Sequence, residues 1–235
     1  MFNSTSPPPI SAFYWQTTAF FLALALIPTL WPGLDLWAAA PFSPVAPQLD
    51  SVDWWWVEGI NAYIPAIFRG FLTVAFLGWL IAMAAQGYRR WRLPLAFVVI
   101  AGILGPGAVV NLLFKEHWQR ARPYQVENFG GAAKFTRAAI ITDQCDNNCS
   151  FVSGHVACGA FLVSLGLIHR RRRVAWAVTG GLAGLVIGFA RMSAAGHWLS
   201  DVLWAFPITL TTSWLVWWGL SRLSTWLPDW QRHRP

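Results

Sequence analysis

Residues 93–114 read LPLAFVVIAGILGPGAVVNLLF, 22 positions without a charge, bounded by Arg92 and Lys115. A helix of about 18 or more such residues can cross the ~30 Å hydrocarbon core of a bilayer. Working outward, five more stretches share this character: 13–34, 70–88, 151–168, 174–190 and 202–221. Several contain Gly or Pro, which membrane helices tolerate. One such run can be a buried core helix, but six in 235 residues cannot share one soluble core. The composition agrees, with 56% hydrophobic and 11% charged residues, 17 Trp and 16 Phe; soluble domains carry about 25% charged residues. The expected fold is an all-α integral membrane protein, a bundle of six transmembrane helices. It forms a single domain, 1–235, with extracytoplasmic loops at 35–69 and 115–150.

Residues 1 to 16 carry no Lys or Arg, so the positive region of a cleavable signal is missing and the first span is expected to stay. Basic residues set the orientation. They cluster at Arg89, Arg90 and Arg92, at Arg170 to Arg173, and in the tail at Arg222, Arg232 and Arg234. All fall on one side by parity, and the positive-inside rule makes that side cytoplasmic, with both termini. The acids Asp35, Asp50, Asp53, Glu58, Glu116, Glu127, Asp143, Asp146 and Asp201 fall on the other side, and only Asp229 departs. The net charge of +7 is therefore read as topology signals plus an anion site, not as a nucleic-acid surface. Trp54, Trp55 and Trp56 are expected to anchor the first outer loop at the interface.

The unusual polar residues sit at the outer membrane ends, where ionisable groups suggest function. Lys115 ends span three, and Arg122, before Pro123, would share its face if the segment is helical. Ser153, Gly154 and His155 begin span four. Arg191 ends span five. His197 and Asp201 begin span six, four apart, so a helix stacks them and the acid can orient the imidazole for attack. Lys115, Arg122 and Arg191 suit a phosphate, and Ser153-Gly154 adds a hydroxyl and backbone N–H groups. Taken singly, each cation is explained by snorkelling or headgroup contact; together with two His and an Asp they make a reaction. His197 attacks phosphorus, and His155 protonates the leaving oxygen and then activates water. No metal or cofactor is invoked, since the acids are too scattered for a two-metal cage.

K-x6-R-P at 115–123, S-G-H at 153–155 and R-x5-H-x3-D at 191–201 resemble, in order, the motifs of the type 2 phosphatidic acid phosphatase superfamily. The resemblance implies a six-helix core, a membrane lipid phosphatase, and a phosphohistidine on His197. Asp201 would be its partner and His155 the acid/base, with Lys115, Arg122, Ser153, Gly154 and Arg191 on the phosphate. Two positions depart: Val152 stands where Pro is usual, and Ala190 where Ser is usual, which removes one hydroxyl.

The stretch Cys145-Asp-Asn-Asn-Cys149-Ser-Phe-Val is similar to bacterial lipid A phosphatases of this superfamily, so lipid A is favoured. Undecaprenyl diphosphate, phosphatidylglycerophosphate and phosphatidic acid are the alternatives. Placement outside the cytoplasm favours a Cys145–Cys149 disulfide over two free thiols; Cys158 reads as a packing residue. The partners are then a phosphorylated lipid and the bilayer of a bacterial inner membrane. A lipid-to-lipid phosphotransferase on the same site is the second reading. A non-enzymatic lipid carrier is the third, and it leaves the motifs unexplained.

Overall fold

A computed structural model describes residues 12–45, 48–49 and 51–226. Asp50, Asp229, Arg232 and Arg234, residues 1–11 and the C-terminal end lie outside the described residues. The helices are α1 Ala12–Leu30, α2 Gly33–Ala39, α3 Trp55–Ala84, α4 Arg92–Gly102, α5 Lys115–Trp118, α6 Gly154–Ser164, α7 Arg173–Ser193 and α8 Leu199–Trp226. A π-helical stretch, Ile103–Phe114, carries α4 into α5. Pro106 lies inside it, and a proline has no N–H to give an α-helical ladder. Among the described residues, five helical segments are long and apolar enough to cross a membrane, and Gly154–Leu167 is a shorter apolar one.

The outer surface is apolar. The most hydropathic window of Trp55–Ala84 is only 11% buried within the protein, and Ile67, Val74 and Leu77 on α3 and Val178, Leu182 and Val186 on α7 are exposed. Water would not tolerate so extensive an apolar belt, and lipid does. The core is built around α6 and α8. Phe21 of α1 stacks on Phe206 of α8 at 4.0 Å between ring centroids, and Phe161 of α6 packs edge-on against Phe68 of α3. The α6–α7 contact is close because glycines face it: a Cβ on Gly159 would stand 2.9 Å from the Gly184 nitrogen. Small residues let membrane helices approach backbone to backbone.

The basic connections close the end of the bundle remote from Asn61 and Trp55. The Arg92 guanidinium donates to the Ala82 carbonyl at 2.7 Å and the Met83 carbonyl at 2.9 Å. These bonds satisfy carbonyls that the C-terminus of α3 leaves without partners.

Two sequence expectations change. The segment read as an outer loop from 35 to 69 is partly helical: α2 lies in it, and α3 starts at Trp55. At the start of that helix Trp54 and Trp56 stack on Phe189 of α7, while Trp55 is 83% exposed. Helix α6 starts at Gly154, not 151: Ser153 is extended at φ −74°, ψ 111°, and its N–H goes to the Asp201 carbonyl at 3.2 Å. At 14 residues, Gly154–Leu167 spans about 21 Å, short of a full hydrocarbon core.

Candidate active site

Lys115 and Arg122 do not share a helix face. Helix α5 stops at Trp118, and Gln119 takes a left-handed φ of 48°. Arg122 is extended at φ −80°, ψ 159°, as a residue before proline prefers. The two cations meet instead on Asn148. Its side-chain oxygen accepts from Lys115 Nζ at 3.2 Å, and its backbone carbonyl accepts from Arg122 Nε at 3.0 Å and Nη2 at 2.6 Å. The Cys145–Cys149 disulfide is present and encloses Asn148.

Ser153 caps the start of α6 in position only. Its hydroxyl is buried and has no hydrogen-bond partner among the described residues. A buried hydroxyl left unpaired costs about 1–3 kcal/mol, and a ligand oxygen would relieve that cost. A Cβ at Gly154 would stand 2.9 Å from the Asn111 side-chain oxygen, so a larger residue there would displace that side chain.

Arg191 and His155 are joined by Asn61 of α3. Arg191 Nη1 donates to the Asn61 side-chain oxygen at 2.8 Å, and His155 Nε2 lies 3.3 Å from the Asn61 carbonyl. Arg191 Nε is buried without a partner among the described residues. Its fork lies against the loop carrying His197: a Cβ on Gly196 would come within 2.7 Å of Arg191 Nη2.

His197 is buried, and its Nδ1 lies 2.8 Å from the Ser150 carbonyl. A carbonyl only accepts, so Nδ1 carries the proton and Nε2 keeps its lone pair. The Asp201 carboxylate stands 3.7 Å from the same Nδ1. Asp201 is engaged elsewhere: one oxygen accepts the Trp198 N–H at 2.9 Å, the other Arg120 Nη1 at 2.7 Å.

Sequence reasoning missed this arginine. Arg120 is 0% exposed and bonds Asp201, Ser200, the Thr136 carbonyl and Asp35, the last at 2.8 Å. Asp35 also accepts from the Ser200 N–H and hydroxyl. A buried guanidinium between two buried carboxylates ties α2, the 119–122 segment and the start of α8 together. Asn61, Asn148 and Ser150 were missed as well; uncharged and without a telling spacing, they gave no signal.

The imidazole of His197 is held well below the usual histidine range, first by burial and then by Arg191, Arg122 and Lys115. Its neutral form therefore persists as pH falls. In the unfolded chain it titrates near 6.5, so below that pH the unfolded state binds the extra proton and the native state loses stability. The difference in unfolding free energy between wild type and His197→Gln should fall by up to about 1.4 kcal/mol per pH unit below 6.5. A difference that stays flat from pH 7 to 5 in detergent melts contradicts the neutral, buried imidazole.

Known proteins are similar to this chain over part of its length. The model of a family described as the PAP2 superfamily matches residues 91–224. A lipid A 4'-phosphatase of Francisella tularensis subsp. novicida (strain U112) is 36% identical over 129 residues, 54% of this chain and 58% of that protein. A lipid A 4'-phosphatase of Rhizobium leguminosarum is 41% identical over 103 residues, 43% of this chain and 44% of that protein. An undecaprenyl-diphosphatase of Bacillus subtilis (strain 168) is 26% identical over 145 residues, 62% and 67% of the two chains. The chain spans about half the length of the two lipid A 4'-phosphatases. No solved structure matches.

Proposed function

The chain belongs to the PAP2 superfamily, and from that membership we propose that it hydrolyses a phosphate ester on a membrane lipid. The observation that carries this reading is a buried imidazole with a free Nε2, set among three cations whose charge it feels, at one end of a bundle with an apolar exterior. The unpaired Ser153 hydroxyl and Arg191 Nε supply two further donors for phosphate oxygens.

In the proposed reaction His197 Nε2 attacks phosphorus in line, and the P–O bond to the lipid breaks. His155 gives its proton to the leaving oxygen, so the lipid departs as an alcohol. Neutral His155 then takes a proton from water, the hydroxide attacks the phosphohistidine, and orthophosphate leaves with His197 restored. Lys115, Arg122 and Arg191 stabilise charge on the equatorial oxygens without reorganising at the moment of transfer. The Ser150 carbonyl fixes the tautomer that leaves Nε2 nucleophilic. Asp201, 3.7 Å behind, offsets the charge that develops on the ring.

The favoured substrate is lipid A carrying a phosphomonoester, in keeping with the names of two relatives. Undecaprenyl diphosphate, phosphatidylglycerophosphate and phosphatidic acid are competitors. The proposed location is a bacterial inner membrane of six spans, α6 being the short one. The site then opens on the extracytoplasmic face and both termini are cytoplasmic, since the arginine-rich connections lie at the opposite end.

Phosphate release from each purified lipid in detergent tests the reading. Lipid A should be hydrolysed with the highest kcat/KM, and a preference of more than tenfold for another lipid overturns that choice. A radiolabel chase separates the second reading: label in free phosphate supports hydrolysis, and label in a second lipid supports phosphotransfer.

A further inference from the structure

Three groups of the proposed reaction take their orientation from the two residues flanking Cys149. Lys115 and Arg122 bond Asn148, through its side-chain oxygen and its carbonyl. His197 Nδ1 bonds the Ser150 carbonyl. Ser150 is itself pinned, its N–H to the Arg120 carbonyl at 2.9 Å and its hydroxyl to the Ala121 carbonyl at 3.1 Å. The segment that does this carries no regular structure: from 134 to 153 there is neither helix nor strand. Asn148 itself holds a left-handed φ of 48°. Without a hydrogen-bond ladder, the segment depends on separate tethers such as those on Ser150. The covalent clamp here is the Cys145–Cys149 disulfide, both of whose sulfur-bearing residues are buried.

We infer that the disulfide-closed loop 145–149 is a positioning element for the reaction, with Asn148 setting the phosphate-binding cations and Ser150 the nucleophile, so that activity depends on the Cys145–Cys149 bond. The inference rests on the phosphatase reading and extends it to the redox state in which the site is competent. Asn148 and Ser150 are positioning residues; they act through Lys115, Arg122 and His197. The neutral carbonyl and amide oxygens on Asn148 hold the two cations apart and aimed without cancelling their charge, which leaves them positive for a phosphate. A disulfide is stable in an oxidising compartment and is lost in a reducing one, so a chain retained among cytoplasmic thiols would carry a loosened site.

The test uses the full chain in detergent. Dithiothreitol reduces the bridge: the S–S bond takes up two electrons and two protons, and the reagent closes to its cyclic disulfide. Alkylation confirms two new thiols beside Cys158. Reduction should lower kcat/KM by tenfold or more, and reoxidation with oxidised glutathione should restore it. Cys145→Ser/Cys149→Ser should start at the reduced level and ignore dithiothreitol. Asn148→Asp places a carboxylate against Lys115, so KM should rise tenfold or more, and kcat should fall by the smaller factor because Arg122 and Arg191 still face the transition state. A loop that is merely structural would not give that split. Inorganic phosphate, followed by its upward shift of the melting temperature, reports the cations without turnover, and its Kd should weaken tenfold on reduction. Oxidised protein inert toward every lipid would sink the phosphatase reading, while phosphate binding would still decide this inference. A confirmed reduction that leaves both kcat/KM and phosphate affinity within twofold, or an Asn148→Asp variant with unchanged KM, overturns it.

Discussion

Replacing His197 with alanine is expected to lower phosphate release by at least about 10³-fold, as loss of a nucleophile does where a triad acts as a unit. The variant should still fold and still bind inorganic phosphate, because Lys115, Arg122 and Arg191 take their orientation from Asn148 and Asn61 and not from His197. His155→Ala should cost about 10²–10⁴-fold, the range for a general acid/base, and an easily departing leaving group should restore part of it, since such a group needs no proton. Release assays on both variants, normalised to folded protein, check the pair. Turnover near wild type from His197→Ala refutes the assignment of the nucleophile.

The second large effect is on stability. Arg120→Met should destabilise the protein by about 3–5 kcal/mol, because it leaves two buried carboxylates facing each other without their shared cation. For a chain of this size that is a fall of roughly 6–20 °C in melting temperature. The loss is larger than removing a surface ion pair, worth about 0–1 kcal/mol, because Arg120, Asp35 and Asp201 are all 0% exposed. The guanidinium also lies over the Phe135 and Trp198 rings, at 5.8 and 5.3 Å, so methionine keeps some packing and loses the charge. Arg120→Met combined with Asp35→Asn should recover part of the stability, since one of the stranded charges is gone. A melting temperature for Arg120→Met within 2–3 °C of wild type, which corresponds to about 1 kcal/mol or less, would mean that the network carries no weight.

The membrane character of the chain was legible because hydropathy over a span is a sum over many residues. The stretch 93–114 is helical from end to end, and 174–190 lies inside α7. Boundaries were less legible because tertiary contacts set them. Nothing in Phe151-Val152-Ser153 announces that Ser153 will stay extended against the Asp201 carbonyl. Nothing in the apolar run after Arg69 says that α3 began at Trp55, since Asn61 and Glu58 look like loop residues until Asn61 is seen to bridge Arg191 and His155.

The site divides in the same way. Charged and imidazole side chains at membrane ends stand out because lipid makes them costly, which is why Lys115, Arg122, His155, Arg191, His197 and Asp201 are candidates from the sequence. Arg120 was hidden by its neighbour. Two arginines flank Ala121, and only the fold shows that one turns toward Asp35, 85 positions away, while the other turns to Asn148. Asn148 and Ser150 act largely through backbone carbonyls, which every residue has. The pairing of His197 with Asp201 was read from their spacing of four; the shorter bond to the Ser150 carbonyl comes from a segment 47 positions away.

The most direct measurement is a rapid-quench experiment with a ³²P-labelled lipid substrate. Transient label is expected on the protein, stable to alkali and labile to acid, on the peptide that carries His197 and absent from His197→Ala. Label on a different residue, or phosphate released with no protein label at any quench time, would contradict it.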